Sequence, residues 1–80
     1  MKTPRDISGK AIIKALKVFG YEVVRQTGSH IMVTSYMKGE HHLAIPNHNP
    51  LKVGTLNAIM SRVAEHFQLS KEQVMRELFG

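Results

Sequence analysis

One histidine in this chain follows a turn-forming sequence and stands at the start of an apolar run. Residues 25–30 read RQTGSH, and residues 31–34 read IMVT. Gly28 can adopt a positive φ at no steric cost, and Ser29 can hydrogen-bond the local backbone, so the segment predicts a tight hairpin. His30 would leave that turn on a strand, whose pleat fixes the direction of the ring. An imidazole in such a place can both take and give protons near neutral pH.

RNA is the substrate class that such a histidine suits. RNA carries its own nucleophile, the 2′-hydroxyl, so a protein need supply only proton transfer and charge stabilisation. A positioned imidazole contributes on the order of 10²–10⁴-fold by acid–base action, and lysine or backbone donors can stabilise the charge that develops on the phosphate. The alternative is that His30 is a polar strand residue or a hydrogen-bonded structural histidine. On the residues alone, this alternative is the commoner outcome.

The other histidine chemistries find less support. The chain has five histidines and no cysteine. His41 and His42 are adjacent on a predicted strand and so face opposite ways, which does not suit a shared metal. His30, His42 and His48 could approach one another, but no nearby carboxylate completes a site. The sequence lacks an H-E-x-x-H motif and a Gly-rich phosphate loop. It also lacks a nearby Asp that could orient a Ser29–His30 pair. We therefore expect neither a bound metal nor a nucleophilic triad.

Length and composition predict one small globular domain, residues 1–80. At 80 residues and 42% hydrophobic, the chain can bury a modest core without a deep substrate pocket. It is therefore better suited to act on, or bind, something large. The lack of cysteine fits a reducing compartment, and no signal peptide or membrane-length apolar run is seen, so we expect a cytoplasmic protein without a membrane partner.

The net charge of +5 is concentrated in the first part of the chain. Residues 1–20 carry five cationic side chains against Asp6 alone: Lys2, Arg5, Lys10, Lys14 and Lys17. The last three fall on one face of a predicted helix, with no acidic residue between them. The pattern suits a polyanion such as RNA, although a solvated face is the commoner fate of such a stripe.

The order of predicted elements is α-β-β-β-α with an added C-terminal helix, an α+β class. After an irregular lead-in, residues 1–6, Ser8 caps a helix from about residue 9 to 19, and Gly20 ends it. Strands follow at residues 21–26, 30–35 and 41–45, the last closed by Pro46. The predicted buried stripe of this helix consists of Ala11, Ile12, Ala15, Leu16 and Phe19.

Two further helices complete the prediction. Residues 51–67 have an apolar stripe of Leu56, Ile59, Met60, Val63 and Phe67. Residues 70–73 form a capping box that opens a short helix to residue 79, and Gly54-Thr55 marks a helix start that favours an anion. Alternation in the strands places Ile31 and Val33 on one face with Leu43 and Ile45. His30, Met32 and Thr34 point to the other, open face.

Three motifs together carry a family resemblance. The predicted helix ends in Gly20-Tyr21 and is followed by the RQTGSH segment. The third strand ends in IPNH, residues 45–48, and residues 51–56 read LKVGTL. In this order and at these separations, the chain resembles the HicA toxins, or YcfA-like proteins, of type II toxin–antitoxin modules. The resemblance covers residues from about 9 to 67.

The resemblance implies a fold like the double-stranded-RNA-binding domain, with helices on one face of an antiparallel three-stranded sheet. It implies an mRNA interferase, a metal-independent endoribonuclease, in which the histidine after Gly-Ser is required for cleavage; that role falls on His30. A HicB-type antitoxin that blocks the active site would be the partner protein. No metal and no small-molecule cofactor are expected.

The resulting hypothesis is a ribonuclease toxin in which His30 is the general acid/base and Gly28 and Ser29 shape its turn. The candidate phosphate contacts are Arg25, Lys10, Lys14, Lys17 and Lys52. One histidine cannot be both base and acid in one step, and water, Ser29, His48 or a lysine stays open as the second group. For His48, we favour bracing of the loop over contact with RNA.

Two rival hypotheses use the same residues. The first is a non-catalytic RNA-binding module that uses the basic surface. The second is an interaction protein whose basic face meets an acidic partner, with no part for RNA.

Overall fold

Three helices and one antiparallel three-stranded sheet make up the fold, in a computed structural model that describes residues 6–80. This architecture confirms the predicted α+β class and element order. The predicted lead-in, residues 1–6, lies outside the described residues apart from Asp6. In chain order the elements are α1 (Gly9–Leu16), a 3-10 turn (Lys17–Phe19), β1 (Glu22–Thr27), β2 (His30–Ser35), β3 (His41–Pro46), α2 (Val53–Phe67) and α3 (Lys71–Phe79).

The ends of α1 and α3 follow from local chemistry. The Ser8 side chain accepts a hydrogen bond from the Ala11 N–H at the start of α1, and Gly20, with φ of 81°, ends the 3-10 turn that continues this helix. Ser70 and Gln73 form the predicted capping box, each side chain bonded to the other's backbone N–H. These bonds satisfy amide groups that a helix terminus leaves unpaired.

The buried side of α1 differs from the prediction at two positions. Ile12 and Leu16 are fully buried, and Ile13 is buried with them, although the predicted stripe omitted it. Ala11 is exposed, so its assignment to the buried stripe was wrong, whereas Ala15 is half-buried and packs against the core cluster. The helix is rotated toward Ile13 because burying a branched four-carbon side chain gains more than burying the methyl of alanine.

The strands sort into a core face and an open face, with β2 in the centre. The residues predicted to face the core are all buried: Ile31, Val33, Leu43 and Ile45. They form one cluster with the apolar stripes of the helices. On the open face, Thr34 is also buried, contrary to expectation, because the ring of His42 hydrogen-bonds to it at 2.7 Å.

The predicted stripe of α2 is confirmed, since all five of its residues are buried. Strand β1 is different: every residue in it is exposed, and its pairing with β2 shifts between Val23 and Arg25. Such a shift adds a residue to one strand and increases the local twist. No helix within residues 6–80 has the length and apolar character needed to cross a membrane.

Candidate catalytic site

A two-residue turn, Gly28 and Ser29, joins β1 to β2, and Thr27 pairs with His30 across it. Gly28 has a φ of +51°, and a Cβ at this position would meet no atom within 4 Å. The backbone conformation, and not a lack of space, therefore favours glycine here. His30 leaves the turn as the first residue of β2.

The His30 ring is exposed and weakly held. Its Nδ1 lies 3.5 Å from the Ser29 hydroxyl oxygen, at the outer limit of a hydrogen bond. Its ring has no other hydrogen bond among residues 6–80. Both ring nitrogens can therefore exchange protons with a bound molecule.

The backbone around His30 is fixed much more tightly than its ring. The Asn47 N–H donates to the Ser29 carbonyl at 2.7 Å, and the Gly9 N–H donates to the His48 carbonyl at 2.8 Å. These two bonds tie the hairpin turn to the end of β3, and the end of β3 to the start of α1. The turn that carries His30 is consequently held by a main-chain bond to the end of β3, and that end is held in turn by the start of α1.

The start of α2 lies at the same end of the sheet. The Leu51 N–H donates to the Ile7 carbonyl at 2.7 Å, which brings the approach to α2 beside the approach to α1. Lys52 is the N-cap residue of α2, is exposed, and makes no side-chain capping bond. The unpaired N–H groups of the first turn and the Lys52 ammonium group both favour negative charge here.

The structure separates the predicted phosphate contacts into near and distant positions. Lys10 directly follows Gly9 and so lies at the His30 end, as does Lys52. Because α1 leads away from this end at about 1.5 Å per residue, Lys14 is about 6 Å and Lys17 about 10 Å further along its axis. Lys17 thus belongs to the opposite end. Arg25 is exposed on the edge strand, paired with Met32.

Three other histidines cluster at the opposite end of the sheet, and two of them face the core. The Tyr21 hydroxyl is hydrogen-bonded to Nδ1 of His41, with 2.6 Å between the oxygen and the nitrogen. The His41 ring stacks on His66, with centroids 4.3 Å apart and an angle of 8° between the planes. Nε2 of His66 donates to the carbonyls of Met37 and Gly39 at 3.0 and 3.1 Å. These rings join α2 to the β2–β3 turn.

His42 is the third histidine of this end, on the open face. Its Nδ1 lies 2.7 Å from the Thr34 hydroxyl oxygen and its Nε2 2.6 Å from a carboxylate oxygen of Glu40. It pairs with Thr34, four residues from His30 along β2, or about 13 Å. The suggested approach of the three histidines is therefore wrong for His42, which lies away from the His30 turn. Within residues 6–80, no group of three or more His, Cys, Asp or Glu could hold a metal ion.

At the far end of the sheet, where His41, His42 and His66 lie, the electrostatics favour a neutral His41 ring. Burial lowers the pKa of His41, and the nearby His66 and Arg62 lower it further. Burial also raises the pKa of Tyr21 to about 12, so its hydroxyl keeps its proton beside His41. A recess of about 540 Å³ opens here, lined by His41, Arg62, Glu65 and His66. The bonded rings give His41 and His66 a structural role.

Sequence reasoning missed one residue that shapes the candidate site. Gly9 was predicted only as the start of a helix, yet a Cβ on it would lie 2.1 Å from the Pro46 carbonyl oxygen. No side chain fits there, so α1 packs backbone against backbone on the end of β3. A glycine at a helix start is common for other reasons, so the sequence held no specific signal of this contact.

Comparison with known proteins identifies the family. A family model described as the HicA toxin of bacterial toxin–antitoxin systems matches residues 9–65, which is most of the chain. Neither the curated proteins nor the solved structures contain a significant match. The matched region contains the Gly28–His30 turn, the end of β3, and both helix starts that surround them. The chain belongs to the HicA family of toxins from toxin–antitoxin systems.

Proposed function

We propose that this toxin is an mRNA interferase, a metal-independent endoribonuclease in which His30 acts as a general acid/base. The observation that carries the proposal is the contrast between a fixed turn and a free ring. A short main-chain bond from Asn47 fixes the Ser29 carbonyl, while the His30 imidazole is exposed and only weakly hydrogen-bonded. Family membership supports the toxin role.

The chemistry requires few protein groups. In single-stranded mRNA, the 2′-oxygen attacks the adjacent phosphorus, the O2′–P bond forms, and the P–O5′ bond breaks. His30 takes a proton from the 2′-hydroxyl or gives one to the 5′-oxygen. Lys10, Lys52 and the start of α2 favour the negative charge of the phosphate. Since the nucleophile is internal to RNA, this route has no step that requires a metal ion or an organic cofactor.

The remaining basic residues and the turn would contact RNA more peripherally. Gly28 and Ser29 present His30 and border the bound phosphate, while Arg25 lies on the neighbouring strand. Lys14 and Lys17 extend the positive surface along α1. Each such contact releases counterions, so RNA affinity is expected to fall as salt rises.

The partner in the cell would be a HicB-type antitoxin that covers the His30 end and so blocks access of RNA. The family match supports an antitoxin as the kind of partner. Adding the antitoxin should therefore stop cleavage and protect the turn at residues 28–30 from solvent. We further propose that the toxin acts in the cytoplasm, where mRNA is available.

A non-catalytic RNA-binding module is the alternative that one observation favours, namely the net charge of +5 with exposed lysines along α1. Both functions predict salt-sensitive binding of RNA, and they differ in what His30→Ala does. For an interferase, His30→Ala should abolish cleavage and growth arrest while fold and most RNA affinity persist.

Incubating purified protein with mRNA in the presence of EDTA, followed by mapping of the new RNA ends, separates the two functions. Wild-type protein should cut and His30→Ala should bind without cutting. If wild-type protein binds RNA tightly at low salt and never cuts it, the RNA-binding module is correct and the proposed enzyme is not.

A further inference from the structure

His48 fixes its loop through its backbone and leaves its ring unused. The His48 carbonyl accepts the hydrogen bond from the Gly9 N–H. Its side chain is exposed, and it makes no hydrogen bond with any residue in the described part of the chain. Bracing of the loop, the role that sequence analysis favoured, therefore needs a carbonyl that any residue could supply. The imidazole itself is available for another purpose.

The path of β3 brings His48 close to the hairpin turn. Pro46 pairs with His30, and the bond between Asn47 and Ser29 continues this pairing beyond the end of β3. Partners in an antiparallel pair have Cα atoms about 5 Å apart, and two residues extend about 7 Å along a strand. The Cα atoms of His30 and His48 should therefore lie roughly 9 Å apart. Two imidazoles at this separation can reach opposite sides of one phosphate group.

The loop that carries His48 is as firmly placed as the turn that carries His30. A Cβ on Gly9 would lie 2.1 Å from the Pro46 carbonyl oxygen and 3.3 Å from the Asn47 Cα, so α1 packs directly on this backbone. A catalytic group is effective only when its supporting segment holds it in place. Both exposed histidines of this end of the sheet meet that condition.

We propose that His48 is the second proton-transfer group of the reaction, an inference that rests on the ribonuclease function proposed above. One imidazole takes the proton of the 2′-hydroxyl as the O2′–P bond forms. The other, protonated at the start, gives its proton to the 5′-oxygen as the P–O5′ bond breaks. The products are a 2′,3′-cyclic phosphate and a 5′-hydroxyl end, and the two histidines finish with their protonation states exchanged. Imidazole suits both roles because it changes charge near neutral pH.

Replacing the leaving oxygen tests this assignment. The substrates are an RNA oligonucleotide containing a mapped wild-type cleavage site and the same RNA with sulfur in place of the bridging 5′-oxygen. A thiolate leaves without being protonated, so it rescues a variant that lacks the acid and fails to rescue one that lacks the base. On normal RNA, His30→Gln and His48→Gln should each lose on the order of 10²–10⁴-fold in single-turnover rate. On the sulfur substrate, one of the two variants should recover to about wild-type rate and the other should not.

The matched control is His42→Gln, which replaces an exposed histidine at the far end of the same sheet and should cleave both substrates at about wild-type rate. Circular dichroism of each variant checks the fold. The inference is overturned if His48→Gln cleaves normal RNA like the wild type, or if the sulfur substrate rescues both variants or neither. A wild-type chain that cleaves no RNA instead overturns the proposed function, and this inference with it.

Discussion

Histidine has opposite uses at the two ends of the sheet. The near end contains His30 and His48, and the far end contains His41, His42 and His66. At the far end, the rings of His41 and His66 are held by a tyrosine hydroxyl, by two backbone carbonyls and by each other. At the near end, the His30 ring has one long hydrogen bond and the His48 ring has none within residues 6–80. A histidine with its nitrogens satisfied stabilises a fold, whereas one with free nitrogens on a fixed backbone can transfer protons. The ring partners, and not the residue type, separate the two roles.

The groups that provide rigidity also differ between the ends. Side-chain bonds hold the far end, where α2 meets the β2–β3 turn. Main-chain bonds hold the near end, where the turn, the end of β3 and the start of α1 meet. Near-end rigidity therefore does not depend on the identity of the exposed side chains. These side chains are therefore free to carry out the proposed proton transfer.

Among substitutions at the two ends, Gly9→Ala is expected to cause the largest loss of stability. It tests the main-chain packing of the near end. Its Cβ would lie 2.1 Å from the Pro46 carbonyl oxygen, so the two backbones must separate, and we expect a loss of about 1–3 kcal/mol in the free energy of unfolding. Cleavage by the folded fraction should fall as well, because His48 moves. Urea denaturation and single-turnover cleavage measure the two effects.

Gly54→Ala is the matched control for stability, since a Cβ at this position of α2 meets no atom within 4 Å. Alanine is the better helix former, so this change should be neutral or stabilise by up to about 1 kcal/mol. Equal stability of the Gly9→Ala and wild-type proteins would show that the backbone contact does not constrain the near end.

A smaller loss of stability is expected for Tyr21→Phe, which tests the side-chain hydrogen bonds of the far end. The change removes the hydroxyl that is hydrogen-bonded to Nδ1 of His41 and preserves the ring packing, so we expect a loss of about 1 kcal/mol in the free energy of unfolding. The cleavage rate of the folded protein should stay at the wild-type value, because Tyr21 is remote from His30. A Tyr21→Phe protein with wild-type stability and reduced cleavage would invert the comparison.

The smallest effect is expected in the pH dependence of stability. Because the folded state lowers the pKa of His41 below its ordinary value of 6.5, the unfolded chain binds a proton more readily in the range just below that pH. Stability from this group is present above pH 6.5 and is lost as pH falls through the folded pKa. Melting temperatures of wild-type and His41→Gln proteins, measured from pH 8 to pH 5, should show a shallower acid decline in the variant. Parallel declines would contradict the far-end assignment.

Local sequence chemistry predicted the elements better than it predicted how they pack. The Ser8 cap, the Gly28–Ser29 turn and the Ser70 capping box depend on neighbouring residues, and all three are present. The stack of His41 on His66 joins residues far apart in sequence and left no local signal. The buried side of α1 was also predicted incorrectly, because packing against distant segments buries Ile13 and leaves Ala11 exposed.

For the candidate site too, the local sequence predicted the placement of single residues better than the packing of separate segments. The turn chemistry predicted where His30 would stand, and the structure agrees with that placement. Sequence reasoning raised an approach of His30 and His48 only as part of a possible metal group with His42, because no periodicity or spacing links residue 30 to residue 48. The approach of Gly9 to Pro46 could not be predicted, since it depends on the angle at which a helix meets a strand.

The central claim is that near-end histidines serve chemistry and far-end histidines serve the fold. Measuring cleavage rate and free energy of unfolding for both His30→Ala and His66→Ala tests it most directly. We predict that His30→Ala loses on the order of 10²–10⁴-fold in cleavage, with its stability changed by less than about 0.5 kcal/mol. His66→Ala should lose about 1–2 kcal/mol of stability and cleave RNA at the wild-type rate when folded. A His30→Ala protein that cleaves like the wild type, or a stable His66→Ala protein that does not cleave, would contradict the claim.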